Sequence, residues 1–256
     1  MDLVADIGNT RCHLAAFEGG GIVARRAVRG GTVPEMEREW DAFAVSLPRA
    51  PDRAAIASVN PKVKVPFARW LRSRFGLEAL VLGETLKIAI PVDVDAPAEV
   101  GSDRLVNALW AARNRPGRAV VVVDFGTAVS FDVVSSKGAF VGGAIAPGMG
   151  TAARALSEKT ALLPHIAVTA APRAIGRDTV ACIDSGIFWG TVGLVERLTA
   201  RIADELGETP HVIATGGDAA LVAPSCPIIK EVVPDMTVEG IRLALQEATE
   251  PQETSA

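Results

Sequence analysis

The residues Val121 to Asp132, VVVDFGTAVSFD, constrain this chain more than any other stretch. Three valines lead to Asp124, then Gly126, Thr127 and Ala128 turn the chain, and Val129 to Val134 runs back. That pattern predicts a buried strand, a tight acidic-glycine turn and a second strand. The start of the chain repeats it. Leu3 to Ala5 leads into Asp6-Ile7-Gly8-Asn9-Thr10, and His13 to Phe17 runs back. A repeated Asp-x-Gly-Thr turn, with an Asn added in the first copy, predicts two similar halves. Each half opens with a hairpin whose turn carries one carboxylate and several exposed N–H groups.

The chemistry of such a turn is specific. Glycine lets the backbone approach a ligand closely. Consecutive N–H groups form a concave anion site, often for phosphate, and the Thr hydroxyl adds a donor. A carboxylate beside a phosphate is repulsive unless a cation lies between them, so Asp6 and Asp124 imply Mg²⁺ or a monovalent ion. Turns also favour Asp and Gly for conformational reasons alone, so one hairpin of this kind would carry no function. Two of them, at the heads of two halves, point to phosphate chemistry.

The 256 residues hold one large domain or two modest ones, and 49% of them are hydrophobic, ample for a core. The net charge of −4 and the lack of any basic-aromatic patch argue against nucleic acid as a partner. Cys12, Cys182 and Cys226 show no metal-ligand spacing and read as free thiols in a reducing cytosol. The N-terminus runs straight into a strand, unlike a signal peptide. No run approaches about 18 apolar residues, so no membrane span is expected.

In chain order, Leu3–Asp6, Cys12–Phe17 and Ile22–Val28 predict three antiparallel strands. A helix over Val33–Leu47 follows, then a strand at Ala54–Ser58, a helix at Lys62–Phe75 stopped by Gly76, and a strand at Ala79–Leu82. Ser102 is expected to cap a helix running to Asn114. Asp103 in its first turn suits the dipole; Arg104 there does not, and asks for an anionic partner. Arg115-Pro116-Gly117 marks the boundary between a first domain, 1–116, and a second, 117–256.

The second half continues with a strand over Ala139–Ala146, the glycine-rich Gly142 to Gly148, and a helix at Thr151–Ser157. Ile175 to Leu206 reads as long helical structure broken near Gly186–Gly190. His211–Ala214 and Ile228–Val232 read as strands. Thr215-Gly216-Gly217 between them is a further phosphate-type turn entering a helix. Thr237–Glu247 closes the chain as an amphipathic helix, with a frayed tail over Glu250–Ala256.

The order β-β-β-α-β-α thus occurs twice, with phosphate turns at both hairpins. Together these residues resemble the actin-like kinase superfamily. Within it, five segments look like the signature set of type III pantothenate kinase. They are Asp6-Ile7-Gly8-Asn9-Thr10-Arg11, Gly101-Ser102-Asp103-Arg104, Asp124-Phe125-Gly126-Thr127-Ala128, Gly142 to Gly148, and Thr215-Gly216-Gly217. Asp235 to Gly240 resembles that family's C-terminal segment. The likeness runs through nearly the whole chain, in the right order.

The resemblance implies an α/β fold of two actin-like (ribonuclease H-like) halves with a cleft between them. It implies ATP-dependent phosphorylation of the primary hydroxyl of pantothenate, the first step of coenzyme A biosynthesis. ATP phosphates would meet Asp6, Ile7, Gly8, Asn9, Thr10, Arg11, Cys12 and His13, with Asp6 near Mg²⁺, and also Gly126 and Thr127. Asp103 would be the general base. Gly101, Ser102, Asp103 and Arg104 would bind pantothenate, joined by Thr179 from the second subunit of a homodimer. Asp124 would hold K⁺ or NH₄⁺.

Two positions depart from the family pattern. Val94 stands about where a Tyr is common, and His13 stands where Lys is frequent. The alternatives are another small-molecule kinase of the superfamily or, from a different class, a non-catalytic regulatory relative. A degenerate relative should have lost one of Asp6, Asp103, Arg104 and Asp124; all four are present.

Overall fold

The computed structural model describes residues 1–248, so the tail expected to fray lies outside the described residues. The chain divides into two compact units. One comprises Met1–Ile90 and Asp95–Trp110 together with the last helix; the other comprises Pro91–Val94 and Ala111–Asp235.

In the first unit, β1 (Asp2–Ile7), β2 (Arg11–Glu18) and β3 (Gly21–Arg29) form the expected antiparallel meander. Helix α1 (Val33–Ser46) leads to β4 (Arg53–Ser58), and α2 (Pro61–Phe75) leads to the short β5 (Leu80–Val81). Both crossovers return the chain parallel, giving the sheet order β3-β2-β1-β4-β5. Local chemistry explains the helix ends. Thr32 and Glu35 make a capping box at α1, and Gly76 ends α2 in the left-handed region at φ 69°.

Strand β1 is nearly all apolar because both of its faces are covered. On one face, Leu3, Ala5 and Ile7 join the α1–α2 core, where Trp40 meets Phe67 edge-on at 5.0 Å. The other face packs against α7 (Met236–Glu247). The start of α3 (Ser102–Asn114) lies under the same helix. Gly240 lets α7 touch the Val106 carbonyl, Trp110 Nε1 donates to Glu239 Oε2 at 2.6 Å, and Thr237 Oγ1 donates to Asn107 Oδ1 at 2.9 Å.

In the second unit, β6 (Val120–Phe125), β7 (Ala128–Val134) and β8 (Phe140–Pro147) form the second meander. Helices α4 (Met149–Lys159) and α5 (Thr179–Leu206) follow, then β9 (His211–Thr215), α6 (Ala219–Val222) and β10 (Ile229–Val232). The sheet order β10-β9-β6-β7-β8 repeats that of the first unit strand for strand. The repeat seen in the turns is therefore a repeat of topology.

Three expectations need correction. Helix α5 is one unbroken helix of 28 residues beginning at Thr179, where Asp178 caps it by accepting from Ala181 N at 2.8 Å. Gly186 and Gly190 do not break it, because the helix buries Ile183, Phe188, Val192 and Val195 and each exposed glycine costs only about 1 kcal/mol. Ser102 does not cap α3: Leu105 N bonds the Gly101 carbonyl at 3.2 Å, so Gly101 holds the cap position and Ser102 lies inside the helix. Finally, the units are not the contiguous 1–116 and 117–256, since α7 completes the first sheet. No helix among the described residues is long and apolar enough to cross a membrane.

Candidate active site

Candidate residues lie in both units, and each unit's set is described by itself. In the first, β1 ends at Asp6-Ile7 and the chain turns through Gly8, Asn9 and Thr10 into Arg11. Gly8 N donates to the Arg11 carbonyl at 3.0 Å and closes the turn. Gly30, just past β3, donates to the Thr10 carbonyl at 2.8 Å and braces the turn from outside. Asn9, Thr10, Arg11 and His13 are exposed, whereas Ile7 and Cys12 are wholly buried. Ile7 and Cys12 thus shape the turn from beneath. Burial first, and the Asp6 carboxylate second, push the Cys12 thiol far up, so it stays neutral.

The start of α3 adjoins this turn through Val59. Its N–H bonds the Ile7 carbonyl at 3.2 Å, and its side chain lies 3.6 Å from where a Cβ on Gly101 would stand. That same point is 2.5 Å from Asp103 Oδ1, so only glycine leaves room for the Asp103 carboxylate to fold back over the helix start. There it accepts from Arg104 N at 2.8 Å. Beside it the Ser102 hydroxyl is buried with no hydrogen-bond partner among the described residues, next to a positioned carboxylate.

In the second unit, two segments converge on the β6–β7 turn. Gly126 N closes it on the Ala128 carbonyl at 2.9 Å. Gly148, at the head of α4, donates to the Thr127 carbonyl at 3.1 Å, and Thr151 Oγ1 donates to the same oxygen at 2.7 Å. From the other side the Thr215–Asp218 turn closes in, with Asp218 N bonding the Phe125 carbonyl at 3.2 Å. Gly216, at φ 89°, faces Asp124 Oδ1 and the Phe125 carbonyl so closely that any Cβ would collide with both. Gly126 and Thr127 stay exposed at the lip.

Thr179 is not part of this set. It is the exposed first residue of α5, and its side chain makes no hydrogen bond among the described residues. The supports at Gly30, Val59 and Thr151 were not singled out from sequence. The Gly30-Gly31 pair directly after β3 was the available signal for the first; Val59 and Thr151 offer none.

The donor chemistry suits oxyanions and hard cations. Among the described residues no three His, Cys, Asp or Glu side chains gather into a metal cage. Mg²⁺ commonly takes only one or two carboxylates and completes its shell from phosphate and water, which fits Asp6. Asp124 Oδ1 and the Phe125 carbonyl offer oxygens side by side, which fits a larger monovalent ion.

The sequence pattern of the family described as type III pantothenate kinase matches residues 2–201. The chain belongs to the type III pantothenate kinase family. A type III pantothenate kinase from Dehalococcoides mccartyi is 40% identical over 251 residues, 95% of this chain and 96% of the relative. The type III pantothenate kinase of Caulobacter vibrioides is 41% identical over 249 residues, 94% and 95% of the two chains. Among solved structures, (R)-2-hydroxyglutaryl-CoA dehydratase component A from Acidaminococcus fermentans aligns with a TM-score of 0.56 at 15% identity. It covers 97% of this chain and 99% of that one. That likeness is one of fold. As a type III pantothenate kinase family member, the chain has the α/β architecture of two actin-like halves that its repeated turns imply.

Proposed function

We propose that this protein transfers the terminal phosphoryl group of ATP to the primary hydroxyl of pantothenate, giving 4'-phosphopantothenate at the start of coenzyme A synthesis. One observation carries the reading: a family match over most of the chain, with Asp6, Asp103, Arg104 and Asp124 all kept.

Phosphoryl transfer is mostly positioning and charge neutralisation. In the first unit the Gly8–Thr10 turn offers N–H groups to phosphate oxygens, with Arg11 and His13 beside them. Gly101 to Arg104 holds pantothenate, and Arg104 faces its carboxylate. Asp103 takes the hydroxyl proton as the new P–O bond forms. A carboxylate suffices for this, because the proton leaves late. In the second unit Gly126 and Thr127 contact ATP. Asp6 would hold Mg²⁺ and Asp124 K⁺ or NH₄⁺; when bound, these cations neutralise phosphate charge.

The working form is a homodimer in the cytoplasm, in which Thr179 reaches the partner's pantothenate. Supporting this, Ile175 is 81% exposed, Val180 50% and Trp189 36% around the first half of α5, more apolar surface than a solvent-facing helix carries. Phe188, beside Trp189, is buried in the core. A monomer by light scattering at micromolar concentration would exclude the dimer. Mixing Thr179→Ala and Asp103→Asn proteins should restore activity through hybrid dimers.

The decisive test supplies purified protein with ATP and pantothenate, and in parallel with other small hydroxy acids. Product from pantothenate alone supports the reading. ATP use only with another acid replaces the substrate, and no ATP use at all leaves a regulatory relative.

A further inference from the structure

Arg11 and Arg29 stand directly opposite each other on the β2–β3 ladder. Opposed residues on an antiparallel pair place their Cβ atoms about 5 Å apart on one face, and like charges there destabilise the sheet. Both side chains are exposed, and neither guanidinium has a hydrogen-bond or ion-pair partner among the described residues. Other arginines nearby are matched: Arg26 pairs with Glu39 at 2.6 Å, and Arg49 with Glu18 at 2.6 Å. An unrelieved like-charge pair on an otherwise balanced surface needs a reason.

Its place in the fold supplies one. Asp6 pairs with His13, and His13 with Ala27, so Asp6, His13, Arg11 and Arg29 share one face of the sheet. This is the face opposite Cys12 and Val28, which point into the α1 core. Arg29 directly precedes Gly30, whose N–H holds the Thr10 carbonyl. The two guanidinium groups therefore flank the Gly8–Thr10 turn, one entering β2 and the other leaving β3. Guanidinium forks match phosphate oxygens in pairs.

The geometry points to Arg29 as a further ATP-binding residue, forming with Arg11 a two-arginine clamp on the triphosphate. None of the segments that carry the family likeness contains Arg29. The assignment rests on the kinase reading above, and it adds that the charge conflict between Arg11 and Arg29 is relieved by the bound triphosphate.

The test is Arg29→Ala, with Arg29→Lys beside it, in the full-length protein. Calorimetric titration with ATP, and separately with adenosine and with inorganic tripolyphosphate, reads binding without turnover. Arg29→Ala should bind ATP and tripolyphosphate roughly tenfold to a hundredfold more weakly, with adenosine unchanged and the Lys variant between. High salt should shrink the ATP difference. The melting temperature without ligand should hold or rise, because a like-charge pair has gone; a residue that merely holds the sheet would lower it.

Unchanged ATP affinity in Arg29→Ala, while the wild type phosphorylates pantothenate, overturns the clamp and leaves the kinase reading intact. Loss of adenosine binding along with ATP, or a lowered melting temperature in both variants, also overturns it. A wild-type protein that binds no ATP sinks the kinase reading itself.

Discussion

Gly148 donates its backbone N–H to the Thr127 carbonyl at 3.1 Å, which draws the head of α4 against the β6–β7 turn. A Cβ at position 148 would stand 2.8 Å from that same oxygen and would meet the Gly126 carbonyl as well. Both obstacles are backbone, so the turn itself must move. Gly148→Ala should therefore raise the KM for ATP at least tenfold and leave the KM for pantothenate near its original value. Steady-state kinetics with each substrate varied will show whether the turn acts on ATP.

Asp103→Asn keeps an acceptor oxygen where Arg104 N donates at 2.8 Å, so the local bond at the helix start survives. The melting temperature should stay within a few degrees. Turnover should fall by roughly 10²–10⁴, the usual loss for a missing general base. Near-normal kcat would remove Asp103 from that role.

The hairpin over Val121–Val134 was legible because a valine run, an acidic glycine turn and a returning strand agree at every level. The helix break near Gly186 was misread because glycine propensity is a local penalty, and Phe188 and Val195 outweigh it only once the core exists. Ser102 was misread as a cap because its residue type fits. The choice of Gly101 depends on where Asp103 folds back, which is tertiary. Nothing local told that α7 returns to the first sheet. The Thr237–Asn107 and Trp110–Glu239 pairs that hold it join residues far apart in the chain.

Activity should require K⁺ or NH₄⁺ in addition to Mg²⁺, because the Asp124 carboxylate and the Phe125 carbonyl set oxygens side by side. Assays at constant ionic strength in Na⁺ and in K⁺ should differ severalfold. Equal rates would remove the monovalent site.

Cys12 and Cys226 are buried and Cys182 is exposed, so a thiol reagent should modify one cysteine quickly in the native protein and the others only on unfolding. The Cys12 thiol also sets an alkaline limit. Its folded value is raised, so its contribution to stability is complete below the ordinary thiol value of 9.0 and falls as pH climbs beyond it. Urea midpoints should drop from pH 8 to pH 10 more steeply in the wild type than in Cys12→Ala. Parallel slopes would assign the loss to other groups.

Val94 packs its Cγ1 3.8 Å from where a Cβ on Gly142 would stand, held there by Asp93 N bonding the Phe140 carbonyl at 2.8 Å. Since the family commonly places Tyr here, Val94→Tyr should lower the KM for pantothenate by an amount worth roughly 1–3 kcal/mol, with kcat largely kept. Weaker binding in the variant would show a pocket rebuilt around valine.

The return of α7 to the first sheet has a consequence for synthesis. The first unit leaves the ribosome first yet cannot be finished until the whole second unit has followed, because the helix over β1 and β4 is encoded after it. The second unit, nearly contiguous in sequence, can close on its own in the meantime. Chains arrested before Met236 should thus hold a settled second unit beside a first sheet with one apolar face bare, the state in which a chaperone would find them.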